Sequence, residues 1–168
     1  MLRIINKIRK IGILTESQPQ DENLEKVGKQ VKYEIVRCFS GSLAIRQVDA
    51  GSCNGCELEI HALNNSYYNI ERFGVHFVAS PRHADMLLVT GPVSRHMQSA
   101  LLRTYEATPH PKLVAAVGQC AIDGGEFGLS YASCGAVSRV IPVEVNIPGC
   151  PPSPLDLLQG ILGLLKQL

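Results

Sequence analysis

At 168 residues the chain is long enough to bury one proper core without disulfide staples, so a single compact body is expected. A net charge of +1 supplies no basic field for nucleic acid, and a charged fraction of only 18% suggests a surface partly covered by partners. No apolar run approaches the roughly 18–20 residues that span a bilayer, and residues 1–15 show neither the apolar stretch nor the cleavage site of an export signal. Six cysteines in such a chain point to a reducing compartment, where thiols hold metal more often than they form disulfides.

In chain order, residues 1–14 come first. Ile4, Ile8 and Ile11 repeat at helical spacing, with Arg3, Lys7, Arg9 and Lys10 mostly off that stripe. A basic amphipathic segment of this kind can lie on an anionic membrane surface, on a partner subunit or on its own domain. Residues 15–32 are polar, carry Pro19 and Gly28, and read as an extended linker without a fold of its own. The expected division is therefore an amphipathic segment and linker over 1–41, then a folded domain over 42–168.

From Leu43 the pattern becomes regular. Strands are expected over 43–49, 75–79, 86–90, 113–117 and 140–147, and helices over 57–65, 97–107 and 155–165. Short apolar strands alternating with helices imply an α/β fold, a parallel sheet with helices on both faces.

That alternation gives the cysteines a common address. Cys53 and Cys56 follow the first strand in the stretch Gly51-Ser-Cys-Asn-Gly-Cys-Glu57, Cys120 follows the fourth across Gly118-Gln119, and Cys150 follows the fifth across Pro148-Gly149. Ligands of open α/β sheets bind beyond the strand carboxyl ends, so three loops would bring four thiolates to one edge. Four thiolates suit zinc or an iron–sulfur cluster. Zinc sites of this type are usually built from two paired knuckles, whereas here one pair is joined by two singletons, 64 and 30 residues further on. The spread favours a bulky cubane, and Gly118, Gly124, Gly125 and Gly149 leave room for one. A redox dithiol at Cys53 and Cys56 would leave the other two loops unexplained. Cys38 and Cys134 read as small buried hydrophobes, with Cys134 the nearer of the two to a spare ligand.

Four ordered stretches carry a resemblance: Gly51 to Glu59, Ser80 to Pro92, Gly118 to Gly125 and Pro148 to Pro152. Together they resemble the small subunit of membrane-bound [NiFe] hydrogenases of the energy-converting and formate-hydrogenlyase type, which is homologous to the 20 kDa subunit of respiratory complex I. The likeness covers about residues 42–165. It implies a flavodoxin-like fold over 42–168 holding one [4Fe-4S] cluster through Cys53, Cys56, Cys120 and Cys150, with those loops at the strand carboxyl ends. It implies partners too: a large subunit (like the complex I 49 kDa subunit) carrying the NiFe centre, a ferredoxin-like iron–sulfur subunit, and membrane subunits, but no nucleic acid. The chain would then sit peripherally on the cytoplasmic side of the cell membrane, with no span of its own. The complex I pattern has adjacent cysteines where this chain separates Cys53 and Cys56, which favours hydrogenase over the alternative, a subunit passing electrons to quinone. A zinc-stabilised interaction module is the alternative of another class. Cys38 and Cys134 are too few for a second cluster.

As implied by the resemblance, the chain does no bond chemistry of its own and positions a one-electron relay. Glu57, next to Cys56, is a candidate for a proton path or for a carboxylate favoured by a helix N-terminus. In complex I relatives an arginine of the Ser80–Pro92 region lies near the cluster. Arg82 and His83 are accordingly candidates for tuning it, or else part of a solvated or docking loop.

Overall fold

The computed structural model describes residues 2–12 and 21–168. Five strands form one all-parallel sheet: β1 (Leu43–Asp49), β2 (Val75–Phe77), β3 (Met86–Thr90), β4 (Leu113–Val117) and β5 (Val145–Ile147), in the order β2-β1-β3-β4-β5. This is the flavodoxin-like order, and the strand sequence reverses direction between β1 and β3. The α/β expectation holds. Residues Met86–Thr90 and Leu113–Val117 are buried at every position, as strands covered on both faces must be.

Alternate residues of those strands feed two cores. Met86, Leu88, Ala115 and Val117 point to one face, where they meet α2 (Glu22–Phe39), α3 (Gly55–Ala62) and α6 (Pro154–Leu165). Leu87, Val89, Val114 and Ala116 point to the other, where Leu101 of α4 (Arg95–Ala107) and Ala121 of α5 (Gln119–Asp123) cover them. A further helix, α1 (Leu2–Ile11), precedes these and has no buried residue.

Two expectations are corrected. The extended linker over 15–32 fails from residue 22 onward, because α2 is an 18-residue helix capped by Asp21, whose side chain accepts the N–H groups of Asn23 and Leu24. Residues 15–20 lie outside the described residues. Leu24, Val31 and Ile35 of α2 belong to the same core as β1 and α6, and Arg37 donates to the Leu165 carbonyl at 3.2 Å. Gly28 is no helix breaker here; a β carbon at that position would stand 2.2 Å from the Phe73 ring, so its absence lets the helix approach. The last strand is also shorter than expected, because Pro142 cannot donate to a ladder and pairing begins only at Val145.

Candidate metal centre

The first cysteine loop is shaped by Asp49, at the end of β1. Its Oδ1 accepts the N–H groups of Gly51 (2.8 Å) and Ser52 (2.9 Å), which bends the chain off the sheet. Ser52 Oγ then accepts the Asn54 N–H at 3.1 Å. Asn54, at φ 72°, turns the chain into α3, so Cys53 precedes the helix and Cys56 lies in its first turn. The end of β3 runs directly against this loop: a β carbon on Gly91 would lie 2.6 Å from the Ser52 backbone.

The other two loops are tied to each other. Gly118 donates its N–H to the Ile147 carbonyl (2.8 Å) and Gln119 donates to the Gly149 carbonyl (2.9 Å). Cys120 therefore enters α5 beside the turn that carries Cys150. Beyond it, the Asp123 carboxylate accepts the Gly125 N–H at 2.7 Å and the Gln119 side-chain amide, and these bonds, the first foremost, hold its pKa below the ordinary carboxylate value.

The result is one cavity of about 180 Å³ lined by Cys53, Cys56, Cys120 and Cys150 together with Gly91, Gly149 and Pro151. Cys53 and Cys150 are exposed, whereas Cys56 and Cys120 are half-buried. Burial pushes the Cys56 thiol up to about 11, and Glu57 and the three other cysteines add to the rise. Burial also raises Cys120, followed by the charges of Cys150 and Cys53. Gathering four thiolates here is thus unfavourable unless positive charge joins them, which is what a bound metal supplies.

The lining fits a cluster in a second respect. A β carbon on Gly118 would stand 2.5 Å from the Cys56 sulfur, and one on Gly125 would stand 2.7 Å from the Cys120 sulfur. Backbone therefore comes right up to two of the four thiols. Among the described residues, no three His, Cys, Asp or Glu side chains converge as ligands of a single ion.

The remaining candidates are placed less centrally. Glu57 is buried in the first turn of α3, and neither of its carboxylate oxygens has a hydrogen-bond partner among the described residues. Arg82 and His83 are exposed in a 3₁₀ turn, Pro81–His83, and do not line the cavity. Their turn leads into the amino end of β3, where Asp85 is pinned to Ala44 by bonds of 2.8 and 2.9 Å. That is the edge of the sheet opposite the cysteine loops. Cys134 is buried and its thiol donates to Gln98 Oε1 at 3.4 Å, whereas Cys38 is exposed on α2, against the expectation that it would be buried. Asp49, Ser52 and Gly91 were not singled out from sequence as shaping the site. Their signal was local, an Asx turn and a strand-end glycine beside the C-x-x-C.

Residues 53–164, which include all four cavity cysteines, match the family described as NADH ubiquinone oxidoreductase, 20 kDa subunit. The chain belongs to that family. Within the family and its relatives, it is 44% identical over 140 residues to formate hydrogenlyase subunit 7 of Escherichia coli, a match covering 82% of this chain but only 55% of that protein. It is 48% identical over 135 residues to a probable membrane-bound hydrogenase subunit of Pyrococcus furiosus, covering 80% of this chain and 81% of the relative. Among solved structures it resembles a chain of the membrane-bound sulfane sulfur reductase, an archaeal respiratory membrane complex. The TM-score is 0.68 at 35% identity, over 82% of this chain and 75% of that one. Family and relatives make the chain a subunit of the hydrogenase and complex I type of oxidoreductase, an electron-transfer class.

Proposed function

We propose that the chain is the electron-relay subunit of a membrane-bound [NiFe] hydrogenase complex, with one [4Fe-4S] cluster held by Cys53, Cys56, Cys120 and Cys150. The observation that carries this reading is the meeting of those four cysteines, from three separate loops, in one glycine-walled cavity. When bound, such a cluster supplies a one-electron couple.

The chain's own residues prepare the place for it. Cys56 lies in the first turn of α3, where the positive end of the helix offsets part of the burial and like charge that raise its thiol. The ties from Gly118 to Ile147 and from Gln119 to Gly149 keep the Cys120 and Cys150 loops in register through backbone bonds of their own. Gly118 and Gly125 admit the backbone to thiol distance, and half-burial of Cys56 and Cys120 limits water on one side. Acid–base chemistry is not asked of this subunit, so the reacting centre is assigned to a partner large subunit with nickel and iron. A separate ferredoxin-like subunit would carry electrons onward, since buried Cys134 and exposed Cys38 do not meet at a second site. No described helix is long and apolar enough to cross a membrane. Placement on the cytoplasmic side would be peripheral, in keeping with relatives named as parts of membrane-bound complexes.

A second reading is favoured by the likeness to the sulfane sulfur reductase chain and by the family's complex I branch: the same relay in a complex without nickel, reducing a sulfur compound or quinone. Anaerobic purification of the whole complex through a tag on this chain, followed by metal analysis, decides between them. Iron with nickel and a large subunit supports the hydrogenase, and hydrogen evolution then follows as the assay. Iron without nickel moves the assignment to the second reading. Zinc alone, without acid-labile sulfide, overturns both.

A further inference from the structure

Among the described α-helices, α1 alone has no buried residue. Leu2 is 78% exposed, Ile4 64% and Ile8 63%, and Ile5 and Ile11 are exposed as well. Successive helical residues turn by about 100°, so Ile4, Ile5, Ile8 and Ile11 fall within an arc of about 120°. Arg3, Lys7, Arg9 and Lys10 fall in the remaining arc, together with Leu2 and Asn6, and no acidic residue lies between Leu2 and Ile11. Helices this short are marginal in water, and β-branched isoleucines do not help them. Such a helix needs a surface that accepts an apolar stripe and negative charge together.

We propose that α1 lies flat in the headgroup region of an anionic bilayer, with Ile4, Ile8 and Ile11 directed into the acyl boundary and Arg3, Lys7 and Lys10 directed to lipid phosphates. An anionic membrane offers both complements along one plane, and long basic side chains reach headgroups while their stems stay on apolar surface. The absence of acidic residues from α1 favours this occupant over a protein groove, where mixed charges would fix register. Arg9 and Lys10, in the last turn, also oppose the negative end of the helix. This inference does not depend on the cluster or on the choice between the two complexes.

The test is sedimentation of the full-length chain with vesicles of phosphatidylcholine alone or of phosphatidylcholine and phosphatidylglycerol in equal parts. The expected result is at least about tenfold greater binding to the anionic vesicles, falling away near 1 M salt, where the screening length is about 3 Å. Ile4→Glu with Ile8→Glu should abolish that binding, and Lys7→Gln with Lys10→Gln should weaken it. Neither pair touches the core, so an unchanged thermal midpoint separates lost binding from lost fold. Absence of binding to anionic vesicles, equal binding to neutral ones, or wild-type binding by the double glutamate variant would each overturn the proposal. If vesicle binding is absent and the glutamate variant loses only its place in the purified complex, α1 is a protein-docking helix instead.

Discussion

Gly118 and Cys56 stand so close that a β carbon on the glycine would lie 2.5 Å from the cysteine sulfur. Gly118 also sits at φ 85°, a conformation that side chains resist. Two independent constraints, one of space and one of backbone, therefore meet at the wall of the cavity. Gly118→Ala should push Cys56 out of position and lower iron and acid-labile sulfide per chain several-fold in anaerobically prepared protein. Gly163→Ala in α6 is the control, since nothing lies within 4 Å of a β carbon there. That change should leave iron content untouched and stabilise the helix by about 0.5–1 kcal/mol. Full iron content in Gly118→Ala would show that the cavity wall does not constrain the metal.

The six cysteines should divide into two classes. Cys53→Ser, Cys56→Ser, Cys120→Ser or Cys150→Ser is expected to remove most of the iron and the broad absorption near ~400 nm, because on the proposed assignment each supplies one thiolate of a four-thiolate set. Cys38→Ser, on the exposed face of α2, should do neither. Cys134→Ala should also keep its iron but lower stability by about 1 kcal/mol, through a lost buried sulfur and a weak bond to Gln98. Iron loss on changing Cys134 would instead make it a ligand.

What could be read from sequence follows from which signals are local. Leu43–Asp49, Met86–Thr90 and Leu113–Val117 appear with the bounds expected, because a buried parallel strand is a short apolar run closed by a turn. Helix α2 was hidden. Leu24, Val31 and Ile35 keep helical spacing, but charged neighbours and Gly28 mask it, and the reason for Gly28 is Phe73, 45 positions away. The meeting of the cysteines was legible because loop position after a strand is a topological property. The edge occupied by Arg82 and His83 was not, because nothing within Ser80–Pro92 says which end of the sheet the turn approaches.

Helix α2 should prove part of the core when tested by truncation. Ile35 is fully buried among residues of β1 and α6, so Ile35→Ala is expected to cost about 2–5 kcal/mol in urea unfolding. Gly28→Ala should destabilise as well, against the usual gain from alanine in a helix, because its methyl group meets the Phe73 ring. Pairing it with Phe73→Leu should recover part of that loss. A stabilising Gly28→Ala would mean that α2 is not held against Phe73.

Asp123 gives the Cys120 loop a dependence on pH whose sign can be worked out. Its carboxylate accepts the Gly125 N–H and the Gln119 amide, and its pKa is lowered by these bonds. A carboxyl with a depressed native pKa contributes stability that is present above the ordinary aspartate value, and loses it as pH falls through the depressed one. The carboxylate is fully exposed, so the effect belongs to the loop rather than to the whole fold. Hydrogen exchange at the Gly125 amide of the metal-free chain, corrected for intrinsic rates, should show protection near pH 6 that declines on acidification below pH ~4. Asp123→Asn should weaken the protection at pH 6 and flatten the decline, since an amide oxygen accepts but does not titrate. An unchanged profile in that variant would assign the Gly125 turn to its glycine conformations alone.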